Sequence, residues 1–169
     1  MNESTKRLLQ ELEIFGRKHE GYYNISADTG KFFHILVLIS KAKNVLEVGT
    51  SNGYSTIWLG EATKQNKGKI TTIEISEHKV KIAAYNFKRA KLSNIKIVHG
   101  DALEEIQKLK GNFDFLFLDA VKEDYINYFK LAYPKLTKNA IIVADNAIMF
   151  EKYMGDYLIY VKNHKDLRS

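Results

Sequence analysis

Cysteine is absent from the 169 residues, and proline and tryptophan occur once each. Without cysteine the chain has no disulfides, no thiolate metal site and no cysteine nucleophile, so any metal must be held by oxygen or imidazole ligands. The same absence agrees with a reducing compartment, and a cytoplasmic location is expected. Long apolar runs are also missing. Met1–Gln10 is polar and mixed in charge, with no signal-peptide core, and no stretch reads as a membrane span. Repeats, low-complexity tracts and linkers are lacking, so residues 1–169 read as a single domain.

What is present is ordinary in bulk. Apolar residues make up 45% and charged residues 27%, which fits a soluble globular protein and excludes neither an enzyme nor a binding module. A chain of this length buries roughly 70% of the surface its unfolded form exposes. There are 26 basic against 20 acidic residues, a formal charge of +6. The lysines are scattered in mixed-sign company and read as a solvated face, with a nucleic-acid-facing patch as the alternative.

Local patterns say more. Five short runs rich in Val, Ile, Leu or Phe are predicted as strands: Asn44–Val48, Lys69–Ile75, Ile95–His99, Phe113–Asp119 and Ala140–Asp145. Helical spacing occupies Ser55–Lys64, Glu77–Lys91, Ala102–Lys110 and Asp124–Leu136 between them, with Ser4–Arg17 and Thr29–Ser40 before the first strand. The lone Pro134 falls near the end of its helix, ahead of a polar turn at Thr137–Asn139. This alternation predicts an α/β fold with a mostly parallel sheet and helices on both faces. Three parts follow: N-terminal helices (1–43), a core (44–146) and a C-terminal helix (147–169, helical over Glu151–Leu167). No strand follows the fifth, so its apolar edge is expected to lack cover.

Ligands of open α/β sheets bind beyond the carboxyl ends of the strands. The first strand runs into Glu47-Val48-Gly49-Thr50-Ser51-Asn52-Gly53-Tyr54-Ser55. Gly49 permits a sharp turn and close approach to a ligand, Gly53 relieves crowding at the next helix, and that helix offers free N–H groups. Alone, this is also what a tight strand-to-helix turn looks like. The second strand ends at Glu74-Ile75, where a carboxylate can accept from two ribose hydroxyls; read singly, Glu74 is equally a surface acid or a cap. At the third, Gly100-Asp101-Ala102 can lie against an adenine, or Asp101 can merely cap a helix. The third glycine of the dinucleotide pattern is missing, which favours S-adenosylmethionine over NAD. Strands four and five end in Asp119-Ala120-Val121-Lys122 and Asp145-Asn146. Two carboxylates and an amide on one rim suit Mg²⁺ or another hard divalent cation, the alternative being a turn and a cap.

These residues resemble the cation-dependent O-methyltransferases, the family of catechol and caffeoyl-coenzyme A O-methyltransferases. The resemblance runs in order from Asn24-Ile25-Ser26 through Val45–Gly49, Gly53-Tyr54-Ser55, Ile73-Glu74, Gly100-Asp101-Ala102 and Asp119–Tyr125 to Asp145-Asn146. It implies a Rossmann-like methyltransferase fold in which Glu47, Gly49, Ser55 and the Ile25 region surround the methionine part of S-adenosylmethionine, with Ser51, Gly53 and Asp119 also at the cofactor. Glu74 would then meet the ribose and Ala102 the adenine, with Ile75 and Asp101 also at the cofactor. It further implies that Asp119, Asp145 and Asn146 bind the metal and that Lys122 is the catalytic base, while Tyr125 packs against the sheet. His34, His78, His99 and His164 have no place in that set. The family continues past this point with an antiparallel hairpin, so either a truncated piece or a naturally shortened variant lacking it is expected, and Ala147–Phe150 lacks the family's glycine after Asp-Asn.

The implied activity is Mg²⁺-assisted methyl transfer to a hydroxyl of a small catechol-like acceptor. Two alternatives stand beside it: methylation of a hydroxylated tRNA base, and a cofactor-binding module without catalysis. A homodimer through Ser4–Arg17 or the aromatic C-terminal helix is a further expectation, and a membrane partner is not expected.

Overall fold

The computed structural model describes residues 1–168. Two helices come first, α1 (Glu3–Lys18) and α2 (Ala27–Ser40). Strands and helices then alternate: β1 (Asn44–Val48), α3 (Tyr54–Gln65), β2 (Lys69–Glu74), α4 (Glu77–Arg89), β3 (Ile95–His99), α5 (Ala102–Lys108), β4 (Phe113–Leu118), α6 (Tyr125–Ala132), β5 (Leu136–Ala144) and α7 (Gly155–Asn163). Every strand pair is parallel, in the order β3-β2-β1-β4-β5. Parallel neighbours need crossovers, which is why a helix returns the chain after each strand.

Side-chain alternation along the strands divides the core into two layers. Val45, Ile70, Phe115 and Phe117 pack with α1 to α4, and Leu46, Val48, Ile73, Leu116 and Leu118 pack with α5 to α7. Both faces are covered, so the strands read as nearly continuous apolar runs. Phe113 and Phe115 break the alternation: two residues apart, they sit in opposite layers, because the β4–β5 register shifts between them. Asp114, at that irregularity, accepts the backbone N–H groups of Lys43 and Asn44 at 2.8 and 2.9 Å and ties β4 to the start of β1.

Helix starts follow their caps. The side chains of Asn2, Ser26, Ser76 and Asp101 accept backbone N–H groups in the first turns of α1, α2, α4 and α5. Differences from the sequence reading concentrate around the fifth strand. Residues 122–124 and 133–135 form 3-10 turns on either side of α6, which is therefore shorter than the predicted Asp124–Leu136. Thr137–Asn139 is strand rather than turn, since β5 begins at Leu136. Exposure at the sheet's edge had given those residues the polar look of a loop. Likewise α7 covers only Gly155–Asn163 of the predicted Glu151–Leu167, with a 3-10 turn over residues 151–153 before it.

The outer edge of β5 pairs with no strand among the described residues, as its sequence position suggested. A groove of about 910 Å³ runs along it, lined among others by Leu136, Ile142, Tyr157, Val161 and Leu167. No helix among the described residues is long and apolar enough to cross a membrane.

Candidate active site

Strand order 3-2-1-4-5 reverses direction between β1 and β4, and at that switch point the loops leave on opposite sides and open a crevice. The loop Gly49–Gly53 leaves β1 at that point. Gly49 has φ +101°, and a Cβ there would lie 2.0 Å from the Asp119 carbonyl oxygen, so only glycine lets β1 leave the sheet this close to the end of β4. Gly53, at φ +86°, starts α3 where a Cβ would meet the Phe87 ring at 2.5 Å.

Below the loop, Glu47 is completely buried. Its carboxylate accepts from Ser55 Oγ at 2.7 Å, Thr56 Oγ1 at 2.5 Å and Thr72 Oγ1 at 2.6 Å, and Thr72 Oγ1 also meets Thr50 Oγ1 at 2.6 Å. Burial pushes the Glu47 carboxyl up to about 7, against the three hydroxyl donors that hold it down. The network ties β1, β2, the loop and the first turn of α3 together. Thr72 and Thr56 were not singled out from the sequence. The signal was there in the register, because Thr72 is the residue opposite Glu47 on the neighbouring strand.

Glu74 ends β2 almost buried, with one oxygen accepting the Ser51 N–H at 2.8 Å and the other the Ser76 N–H at 2.9 Å. Ser51 itself is left-handed, at φ +51°, and its Oγ is buried without a partner, as is Asn52 Nδ2. Two orphaned polar atoms in a strained loop are what a polar ligand would satisfy. Ile75 follows, 69% exposed although apolar, and Ala102 is buried at the start of α5, beyond the end of the neighbouring β3. Asp101 is exposed and its carboxylate is engaged in capping, accepting the Leu103 N–H at 2.8 Å. Ile25 lies just before the Ser26 cap of α2, in the same apolar layer as Tyr54, beside a second groove of about 390 Å³.

Beyond β4 and β5 the acids gather. The Asp145 N–H donates to the Leu118 carbonyl, which brings Asp145 beside Asp119 at the next step of the β4–β5 ladder. Burial raises the Asp119 carboxyl to about 6, with the Lys122 ammonium opposing the rise and Asp145 adding to it. Asp145 is raised as well, again chiefly by burial. Lys122 Nζ donates to Asp119 Oδ1 at 3.1 Å and to Tyr125 Oη at 2.6 Å, and Tyr125 Oη donates to the Leu118 carbonyl at 2.9 Å. Tyr125 is completely buried, and its hydroxyl is driven far above its ordinary pKa. Asn146 is exposed in a left-handed turn at φ +58°.

No group of three His, Asp or Glu side chains gathers among the described residues. The oxygen donors that the structure brings together there are the carboxylates of Asp119 and Asp145, with exposed Asn146 next in the chain. Two desolvated carboxylates sharing one ammonium carry more negative charge than their surroundings neutralise, and an added divalent cation fits that donor set. The histidines lie elsewhere: His34 Nδ1 meets the Trp58 carbonyl, His99 Nε2 meets the Ile75 carbonyl, and His164 packs against Phe129, Tyr133 and Tyr160.

A parallel sheet of this order, with a glycine loop at its switch point and a nearly buried carboxylate at the tip of β2, defines a Rossmann-like α/β domain. Residues 2–157 match the family model described as O-methyltransferase, and the chain belongs to that family. It is 37% identical over 138 residues to a catechol O-methyltransferase of Niastella koreensis, covering 79% of this chain and 62% of the relative. With a catechol O-methyltransferase of Mycobacterium tuberculosis the identity is 36% over 126 residues, covering 73% and 57%. A solved O-methyltransferase from Bacillus cereus, in complex with S-adenosylhomocysteine (SAH), is 27% identical with a TM-score of 0.85, covering 98% of this chain and 81% of that one. The chain thus spans about three-fifths of the length of the two catechol O-methyltransferases.

Proposed function

We propose that the chain transfers the methyl group of S-adenosylmethionine to a hydroxyl of a small catechol-like acceptor, assisted by Mg²⁺ or another divalent cation. The observation that carries this is the contact between Gly49 and the end of β4, which sets the cofactor loop directly against the cluster of Asp119, Lys122 and Asp145. Names of the two bacterial relatives support the catechol class, and the SAH complex of the Bacillus cereus protein supports the donor.

In this reading Glu74 accepts from the ribose hydroxyls, Ile75, Asp101 and Ala102 border the adenine, and Ile25, Gly49, Ser51, Gly53 and Ser55 surround the methionine portion. Glu47 serves by holding Ser55 and the loop from below. Asp119, Asp145 and Asn146 would hold the cation, whose contribution when bound is Lewis-acid lowering of the acceptor hydroxyl pKa. Lys122 Nζ, as the neutral amine left when its ammonium has given a proton to solvent, takes the hydroxyl proton. An oxygen lone pair then forms the bond to the methyl carbon while the carbon–sulfur bond breaks, and the sulfonium leaves as neutral SAH. Holding donor and acceptor in line is the protein's main task, an effect worth up to about 7–11 kcal/mol.

The test measures methyl transfer from labelled S-adenosylmethionine to catechol, with Mg²⁺ and with EDTA. Product is expected with Mg²⁺, a loss of about a hundredfold or more is expected on chelation, and the same loss in Asp119→Ala. Undiminished turnover in EDTA removes the metal from the reading. SAH binding without transfer to any hydroxyl leaves a cofactor-binding module, and transfer to tRNA but not catechol changes the acceptor class.

A further inference from the structure

Tyr125 reads from the sequence as a packing residue, and its full burial at the start of α6 agrees. Its hydroxyl does more. A carbonyl cannot donate, so the single phenolic hydrogen is committed to Leu118 O, 2.9 Å away, and the oxygen faces Lys122 with lone pairs only. Lys122 Nζ must therefore be the donor in the 2.6 Å contact between them. The same Nζ donates to Asp119 Oδ1 at 3.1 Å and lies 4.8 Å from the centre of the Tyr125 ring. Of the three tetrahedral positions that Nζ has besides its bond to carbon, two are taken and one remains free.

The two tethers differ in kind. Asp119 is shared with the cation in the reading above, whereas the Tyr125 oxygen receives only Lys122. Its anchor, Leu118, is a fully buried residue at the end of an interior strand, and its carbonyl also accepts the Asp145 N–H at 2.9 Å, so the brace is built into the β4–β5 ladder. A lysine side chain otherwise loses much rotamer freedom when it is held in one place, and a single charged partner fixes distance better than direction.

We infer that Tyr125 is a positioning residue: its hydroxyl, braced on the Leu118 carbonyl, orients Lys122 so that the one free position on Nζ is presented to the acceptor hydroxyl. This rests on the methyl-transfer reading. Tyr125→Phe keeps the buried ring and removes only the brace. Side-chain ¹⁵N relaxation of labelled lysine should find Lys122 restrained in the parent chain and mobile in the variant. With catechol, kcat should fall about tenfold to a hundredfold, while acceptor KM and SAH affinity stay within about twofold.

Unchanged Lys122 mobility overturns the inference, and so does a kcat loss matched by equal losses in SAH affinity and melting temperature, which is what a packing role produces. Lys122→Met tests the contact from the other side without touching the buried ring: the Tyr125 ¹³Cζ resonance should shift, and an unmoved resonance also overturns it. If the parent chain methylates nothing, the functional reading fails, yet the two magnetic-resonance comparisons still decide whether the tether exists.

Discussion

Glu47 sets two physical effects against each other at one atom group. Removal from water favours the neutral acid, while three hydroxyls aimed at it favour the carboxylate, and burial wins by enough to raise the group from 4.5 to about 7. A folded-state pKa above the unfolded one means the fold binds the proton more tightly. The stability this contributes is full below pH 4.5 and is lost as pH rises through 7. A shift of this size corresponds to about 3 kcal/mol. Urea unfolding of the parent chain and of Glu47→Gln, each at pH 5 and pH 8, should show the parent losing roughly 2–3 kcal/mol more than the variant over that interval. Parallel pH profiles would mean that Glu47 is ionised in the fold with its charge fully compensated by Ser55, Thr56 and Thr72. The sequence revealed the acid and the serine but not this arrangement, because a glutamate in a glycine loop motif looks like a ligand contact. Only its complete burial shows that it supports the loop from beneath.

Elements were legible where burial and period agree. β1 and β3 match their predicted bounds, and β2 and β4 end one residue short of theirs: the interior strands β1, β2 and β4 have an apolar signature with nothing comparable beside it, and β3, at the edge opposite β5, keeps one in Ile95, Ile97 and Val98. β5 was half-read, since an edge strand with Thr137, Lys138 and Asn139 exposed has the composition of a turn. Helix ends show another feature that composition hides. α2, α3 and α4 are followed by Lys41, Lys67 and Lys91 at φ +57°, +58° and +56°, positions where glycine is the usual residue. Each lysine complements the negative end of its helix but strains its backbone, at a cost of about 1–2 kcal/mol. Lys67→Gly should therefore raise the unfolding free energy by up to about 1 kcal/mol, after the loss of the charge–dipole term and the entropy of the freer unfolded chain. Chemical denaturation checks this. A destabilised variant would show that the charge at the end of α3 outweighs the strain.

At the scale of the molecule, the proposed cofactor site joins two halves of the sheet. Glu74 and the Gly49 loop belong to β2 and β1, Asp119 belongs to β4, and the switch point runs between them. A ligand that binds only the folded chain stabilises it by about 2.7 kcal/mol at a hundred times its Kd. Because its contacts come from both halves, SAH should move one cooperative unfolding transition rather than separate a protected half from an unprotected one. Glu74 decides whether the ribose is part of that contact. In Glu74→Gln a single acceptor oxygen must serve the Ser51 and Ser76 N–H groups that two oxygens serve now, so the ligand-free variant should lose about 1–3 kcal/mol. That loss belongs to the loop. The test of the site is the further gain on adding SAH, which calorimetry should find in the parent chain and nearly absent in the variant at the same concentration. An equal gain in both would remove Glu74 from the cofactor site and leave it as the brace of the Ser51 turn.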